Sequence, residues 1–202
     1  MVVARTPEEL RHKADTALVA IDEWLRNKKL SIASEKTELV PLSGRRKLKE
    51  LTVTVGETRV KSIKSTKYLG VYLDKDMRMT EHVMRVVERA NEITTKLARL
   101  MPNIGGPRAS KRRVMAGAVM SVVLYGAPVW AEALRHARYR LMLEAVQRKL
   151  ALRISSAYRT VSLEAAQVMS GLVPVDILVR ERKRVYHHPE ERAGTKERAL
   201  TE

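Results

Sequence analysis

The sequence predicts an α+β protein in which a helix and a small antiparallel sheet are followed by an all-helical part. Between residues 37 and 73, short runs alternate apolar and polar residues, as strands with one buried face do. From Val83 onward, apolar residues recur every three or four positions, which is the spacing of an amphipathic helix. The change of period sets a soft boundary near residues 75–78.

The N-terminal part begins with a strong helix signal. Thr6 can cap a helix, Pro7 suits its first position, and Glu9 completes a capping box. We expect this helix to end near residues 27–30. Four alternating runs then predict a strand meander, at residues 37–42, 51–55, 60–63 and 68–73.

The helical part should contain a central buried helix. Thr80 can cap the first helix of this part and Ser110 the second. Residues 114–131 carry no charge, which raises the alternative of a membrane span. A span needs roughly 20 apolar residues, and this run is borderline in length and contains a proline. We favour a core helix, because the neighbouring amphipathic helices need a central partner.

Three more helices complete the predicted order. One begins near Ala137 and places Glu144 four residues before Arg148 for a surface ion pair. A short helix runs from Ser162 to Gly171, and a last one starts at Pro174 and reaches about residue 186. The charged remainder is expected to be disordered. The predicted division is therefore 1–76, 77–186 and a tail of 187–202.

The charge of the chain indicates a polyanionic partner. Lys and Arg number 39 against 23 Asp and Glu, which gives a formal net charge of +16 and a pI near 10.3. Nucleic acid is the first candidate and an anionic membrane surface the second. Cysteine is absent, so disulfides, thiolate zinc sites and a cysteine nucleophile are excluded. Phenylalanine is absent too, which favours recognition of the nucleic-acid backbone over base stacking.

Basic residues form four clusters along the chain. Any one cluster is more typical of a solvated face, but four with so large an excess favour phosphate contacts. The cluster at residues 108–113 lies at a predicted helix start, where positive side chains are unfavourable for the helix dipole. A bound polyanion would explain their presence there. The clusters are Arg45, Arg46, Lys47 and Lys49; Lys61, Lys64 and Lys67; Arg108, Lys111, Arg112 and Arg113; and Arg180, Arg182, Lys183 and Arg184.

Candidate catalytic residues are few. Asp74 and Asp76 follow a predicted strand, but a solvated turn explains them better than a metal site. The five histidines lack ligand spacing, and Gly105-Gly106 lacks the lysine and hydroxyl of a phosphate-binding loop. Lys36, at the join between the first helix and the sheet, is either solvated or a proton donor or phosphate contact. No metal site is predicted within this chain.

Ordered motifs along nearly the whole chain resemble the downstream portion of the reverse transcriptase of non-long-terminal-repeat retrotransposons, particularly the insect type-1 elements that insert into ribosomal DNA. Each motif is weak alone, and their order and spacing carry the resemblance. The motifs are Val2-Val3-Ala4, Trp24-Leu25, Lys36-Thr37-Glu38, Lys67-Tyr68-Leu69-Gly70-Val71, Arg99-Leu100-Met101-Pro102-Asn103, Gly105-Gly106-Pro107, Leu124-Tyr125-Gly126-Ala127-Pro128-Val129-Trp130, Tyr158-Arg159-Thr160-Val161-Ser162 and Glu181-Arg182 through Tyr186.

The resemblance implies a role for each part. Residues 1–76 would be the end of the polymerase palm, in which Lys36 matches a lysine thought to assist nucleotide addition. Tyr68-Leu69-Gly70, with Lys67, resembles the primer-grip hairpin that holds the growing 3′ end. Residues 77–186 would be the helical thumb and its extension. The implied partners are RNA and DNA as a template–primer duplex, with Mg²⁺ as the cofactor of the intact polymerase, and the implied localisation is nucleus and cytoplasm.

The chain also departs from the family pattern. The paired catalytic aspartates of the family precede the position that Met1 occupies here, as do the fingers. We therefore expect a fragment of an RNA-directed DNA polymerase that binds nucleic acid but is inactive alone, with the missing palm and fingers as a further partner. The alternative is a domesticated nucleic-acid-binding or protein-interaction module without enzymatic activity, which would bind a partner through an apolar face of the palm part.

Overall fold

The computed structural model describes residues 1–42 and 50–189, which fold as two compact units, one of residues 1–79 and one that begins at Thr80. In the described residues, seven α-helices accompany two small antiparallel sheets of two strands each. The predicted α+β class is confirmed.

The first unit opens with helix α1, Pro7–Asn27. As predicted, the Thr6 hydroxyl accepts a hydrogen bond from the Glu9 amide, at 3.1 Å, and Pro7 occupies the first turn. A short 3-10 helix, Ser34–Lys36, follows. Two hairpins complete the unit. Strands β1, Thr52–Val55, and β2, Thr58–Lys61, form the first, and β3, Ser65–Tyr68, and β4, Val71–Asp74, form the second.

Two strand predictions in this unit are wrong. Residues 37–42 make only an isolated bridge, from Leu39 to Ser62. Residues 68–73 are not one strand, because the chain reverses at Leu69 and Gly70, whose φ angles are +46° and +85°. The two positive φ values are those of a type I′ hairpin turn. Tyr68 and Val71, on either side of the turn, are directly paired residues of β3 and β4. In the sequence, the alternation of apolar and polar residues continues through the turn, so the pattern predicts one strand where there are two.

The second unit is all helical. It contains α2, Thr80–Ala98; α3, Ala109–Val123; α4, Ala127–Trp130, continued by a 3-10 turn at Ala131–Arg135; α5, Ala137–Ser155; α6, Leu163–Ser170; and α7, Val175–His187. Its core is built from one face of each long helix, with Val83, Ala90, Val119, Leu143, Leu150, Ile154, Val175 and Val179 buried. Ser162 caps α6 and Gly171 ends it in a left-handed conformation, as predicted.

The uncharged run 114–131 is not one helix. Helix α3 ends at Val123, and Gly126 takes a left-handed conformation, with a φ of +61°, before α4. The indole N–H of the buried Trp130 donates to the carbonyl oxygen of Tyr125 at 2.8 Å, which holds the bend. Ser110 does not cap α3, because the helix begins one residue earlier, after Arg108.

Across residues 1–42 and 50–189, no single helix is long and apolar enough to cross a membrane. One bent pair, residues 109–123 and 127–135 at 54°, meets the length and composition criteria together. The predicted tail lies outside the described residues from position 190 onward.

Candidate nucleic-acid interface

The N-terminus of α3 is organised around a buried arginine. Arg112 is only 3% exposed. Its guanidinium donates to the main-chain oxygens of Pro107 and Pro102, both at 2.6 Å, and of Arg153 at 2.8 Å, with a longer contact of 3.5 Å to Met101. We call these five residues the Arg112 junction. The junction holds together the start of α3, the loop after α2 and the last turn of α5.

The loop between α2 and α3 closes tightly on this junction. A Cβ at Gly106 would overlap the carbonyl oxygen of Pro102 and would lie 2.6 Å from Nη2 of Arg112. Glycine is therefore required there for steric reasons. The motifs around Met101-Pro102 and Gly105-Gly106-Pro107 thus have a physical explanation, because they supply the carbonyl oxygens and the close approach that the guanidinium needs.

Three exposed cations surround the Arg112 junction: Arg99 in the turn after α2, and Arg108 and Lys111 at the start of α3. We call this set the basic pole. No side chain caps α3, and its first turn holds no acidic residue. The first N–H groups of a helix carry partial positive charge and have no partner within the helix. The basic pole therefore joins side-chain cations to a helix N-terminus, which is an arrangement that attracts anions.

Four other helices of the described chain begin in the opposite way. Acidic residues occupy the first turns of α1, α2, α6 and α7, where they are favourable for the helix dipole. Helix α5 shares the basic start of α3, since its first turn lacks acidic residues and contains the exposed Arg138. We did not predict a role for Arg138 from the sequence. The absence of Asp and Glu around a predicted helix start was the signal that could have identified it.

Arg113 has a role different from that of the cations in the basic pole. Its Nε donates to the carbonyl oxygen of Ser170 at 2.8 Å, at the last residue of α6. A Cβ at Gly171 would lie 3.3 Å from Nη2 of Arg113. A cation at a helix C-terminus is favourable for the dipole, so Arg113 stabilises the end of α6. Of the four residues in the third basic cluster, only Arg112 is buried, and of the three exposed ones Arg113 is bound to the end of α6, which leaves Arg108 and Lys111.

Arg148 also serves the fold. The predicted pair with Glu144 is not formed, because Glu144 contacts Arg140 at 3.5 Å instead. Arg148 donates to the main-chain oxygens of Arg159 and Val161, at 2.5 and 2.7 Å. It therefore fixes the loop of the Tyr158-Arg159-Thr160-Val161-Ser162 motif against α5.

The predicted primer-grip residues lie at the tip of the second hairpin. Tyr68 and Leu69 are exposed at the turn, and Gly70 supplies the second positive φ. Lys67 is exposed and places its Nζ 5.8 Å from the centre of the Tyr72 ring on the paired strand. The hairpin thus places one cation over the ring of Tyr72 and exposes a second aromatic ring, Tyr68, at its tip. Whether it contacts nucleic acid stays a prediction.

Lys36 lies in the same unit as the hairpin. It is the last residue of the 3-10 helix, and its side chain is exposed. The segment that follows it is held to the second hairpin, because the hydroxyl of Thr66 donates to the carboxylate of Glu38 and the Ile63 amide donates to Leu39 at 2.8 Å. The motif Lys36-Thr37-Glu38 therefore lies alongside the strands that carry the predicted primer grip.

The remaining predicted residues divide into two groups. Arg45, Arg46 and Lys47 lie outside the described residues. Asp74 caps a turn, since its carboxylate accepts from the Arg78 amide at 2.8 Å. Within residues 1–42 and 50–189, no group of three or more His, Asp or Glu side chains is arranged to hold a metal ion.

The chain matches curated proteins of type-1 retrotransposable elements. It is 29% identical, over 84% of its length, to the retrovirus-related Pol polyprotein from type-1 retrotransposable element R1 of Nasonia vitripennis. It is also 29% identical, over 90% of its length, to the corresponding polyprotein of element R1 2 from the same species. A 115 kDa protein of element R1DM in Drosophila melanogaster is 27% identical over 85% of the chain. This chain is a homologue of R1 Pol polyproteins.

The homology confirms the resemblance that the motifs predicted. The chain spans about half the length of the two Nasonia proteins, 52% and 46%, and 17% of the Drosophila protein. No protein-family model matches it, and no solved structure gives a significant match. Several of its motifs have a structural explanation within the helical unit: Pro102 and Tyr125 accept hydrogen bonds from the side chains of Arg112 and Trp130, and Gly106 packs too closely on Pro102 for any side chain.

Proposed function

We propose that this chain is the part of a retrotransposon reverse transcriptase that holds the template–primer duplex by its phosphate backbone. The observation that carries the proposal is the basic pole. Arg108 and Lys111 are exposed at an uncapped helix N-terminus without acidic residues in the first turn. This charge is unfavourable for the helix itself and becomes favourable when an anion binds there.

The rest of the chain supports the same partner. The net charge of +16 attracts a polyanion over the whole surface, and the family's Pol polyproteins suggest nucleic-acid substrates in general. Because Arg112 and Arg113 are engaged with carbonyl oxygens, we assign the phosphate contacts of this cluster to Arg108 and Lys111. In the first unit we assign the primer contact to Lys67, Tyr68 and the Leu69-Gly70 turn.

We further propose that these 202 residues do not extend a primer by themselves. The paired aspartates and the Mg²⁺ ions they hold in the family's palm have no matching motif in this sequence, and the chain matches only about half of its Nasonia relatives. Lys36 is exposed and would donate a proton to a departing pyrophosphate only beside paired aspartates and the Mg²⁺ ions that they hold. Purified protein with primed template, Mg²⁺ and deoxynucleotides should therefore give no extension.

A second candidate rests on α1. This helix has no fully buried residue, and Ile21 and Trp24 on adjacent turns are exposed. An exposed apolar stripe on a helix is typical of a surface that binds protein, so the domesticated interaction module remains the competing function. Under that function, Trp24→Ser would abolish binding of a protein partner and would leave duplex affinity unchanged.

Salt-dependent binding tests the main proposal. Fluorescence anisotropy with a labelled, primed RNA/DNA duplex should show affinity that falls steeply between 50 and 200 mM salt, at a slope of about 0.9 per phosphate contact. The variant Arg108→Ala/Lys111→Ala should lower the slope by about 2. A matched control, Arg85→Ala/Arg89→Ala, removes the same charge from cations that are paired with Glu81 and Glu92 and should leave the slope nearly unchanged. Equal slopes for the two variants would contradict the assignment.

A further inference from the structure

The loop between α2 and α3 carries an exposed apolar side chain at its tip. Ile104 is 93% exposed, more than the other large apolar side chains of the second unit. Leu100, at the start of the same loop, is exposed as well. The chain thus places an unburied isoleucine in a segment that is otherwise bound closely to the fold.

This loop cannot fold back to bury Ile104. Arg112 binds the carbonyl oxygens of Pro102 and Pro107, so both ends of the loop are tied to one buried guanidinium. Gly106 packs directly on Pro102, where even a methyl group would overlap. Residues 103–105 are the part of the loop that lies between these contacts. The side chain of Ile104 is therefore presented to solvent by a rigid frame, and ordering it on binding costs little conformational entropy.

The surroundings of the tip specify the kind of partner. Arg99 precedes the loop, and Arg108 and Lys111 follow it, so the apolar side chain is flanked by the basic pole. A protein partner with an apolar pocket would have to desolvate these cations or supply acidic groups. A nucleic-acid duplex offers both an anionic and an apolar surface, because phosphates line its edge and stacked bases form its interior.

We propose that Ile104 is a wedge that inserts against a base step of the duplex held by the basic pole. Proteins that bind duplexes use isoleucine, leucine or methionine in this way, partly unstacking a step while cations hold the neighbouring phosphates. The inference rests on the proposed function and adds to it a residue that contacts bases. The basic pole sets affinity through charge, and Ile104 adds an apolar contact that does not depend on salt.

Duplexes with 2-aminopurine at successive positions test the wedge. Binding of the 202-residue protein should raise fluorescence at one position, since unstacking relieves quenching of that base. Ile104→Ser should abolish the rise and weaken binding about tenfold, with an unchanged salt slope. Ile104→Leu should keep most of both signals. Val168→Ser, which changes an exposed valine of α6 in the same way, is the matched control and should behave as the original protein does.

The possible results distinguish failure of the Ile104 wedge from failure of the proposed duplex binding. Absence of duplex binding by the original protein would overturn the proposed function and the wedge together. A salt slope that falls by about 2 with Arg108→Ala/Lys111→Ala, together with unchanged fluorescence for Ile104→Ser, would keep the function and overturn the wedge. A change of sedimentation coefficient in Ile104→Ser without nucleic acid would instead assign Ile104 to contact between copies and would also overturn the wedge.

Discussion

The guanidinium of Arg112 donates a hydrogen bond of 2.8 Å to the main-chain oxygen of Arg153, which joins the first turn of α3 to the last turn of α5. This one contact explains why a buried arginine is found at a helix start, where its charge is unfavourable. A helix C-terminus exposes carbonyl oxygens with partial negative charge, and the arginine neutralises them. The stability of the helical unit therefore depends on Arg112, although nothing in the sequence distinguishes this arginine from the solvent-exposed basic residues beside it.

Replacement of Arg112 should destabilise the second unit strongly. Arg112→Ala leaves several buried carbonyl oxygens without a donor, and we expect a loss of about 3 kcal/mol or more in unfolding free energy. Arg112→Lys should restore little of it, because an ammonium lacks the planar fork that reaches four oxygens. Urea unfolding followed by the fluorescence of the buried Trp130 measures the loss. Lys111→Ala is the control, and a loss as large there would contradict the prediction.

Two glycines of the second unit should respond in opposite directions to alanine. Gly106→Ala creates overlap with Pro102 and should cost about 2 kcal/mol, within the range for overpacked sites. Gly117→Ala lies in α3 with nothing within 4 Å of the added methyl group, and it should stabilise the helix by about 0.5–1 kcal/mol. Thermal unfolding of the two variants gives the comparison. Similar midpoints for both would show that the loop is not closed as described.

Stability should fall as the pH decreases from 6.5 to 4 because of one histidine. His82 is 1% exposed, lies 5.8 Å from the Trp130 ring, and burial lowers its pKa to about 4. Between that value and the ordinary 6.5, the unfolded chain binds a proton that the folded chain does not. The stabilising effect is therefore complete above pH 6.5 and declines as the pH falls toward 4, by at most about 3 kcal/mol.

Two histidine variants separate the effect of His82 on stability from that of the carboxylates, which titrate in the same pH range. In His82→Gln the decline in unfolding free energy between pH 7 and pH 4.5 should be smaller than in the original protein. In His12→Gln, which changes an exposed histidine of α1, it should be the same. Parallel curves for all three proteins would assign the decline to other groups.

A substitution in the turn between β3 and β4 should stabilise this hairpin of the first unit. Leu69 has a φ of +46°, a conformation that costs a branched or bulky residue about 1 kcal/mol, whereas asparagine tolerates it well. Leu69→Asn should therefore slow hydrogen exchange in β3 and β4, and Gly70→Ala should speed it. Leu30→Asn replaces another exposed leucine and should change neither strand. If Leu69→Asn also weakens duplex binding, the strained leucine is retained for contact with the primer.

Local signals in the sequence were sufficient for the helices. Thr6, Pro7 and Glu9 start α1, and Ser162 and Gly171 bound α6, because capping involves residues within four positions of each other. The hairpin at Leu69-Gly70 was missed for an equally local reason. The residues on both sides of a two-residue turn keep the alternation of a single strand, and leucine is not a typical turn residue.

The roles of the arginines were decided by tertiary structure alone. In the sequence Arg108, Lys111, Arg112 and Arg113 form one basic cluster, and nothing in it separates a cation in solvent from one that binds buried oxygens. The fold brings Pro102, Arg153 and Ser170 to two of these residues from distances of 10, 41 and 57 positions. Charge and family were therefore determined by the sequence. Which cations remain available to a phosphate backbone was decided by long-range hydrogen bonds, because Arg112 is buried and Arg113, although exposed, is bound to the carbonyl oxygen of Ser170.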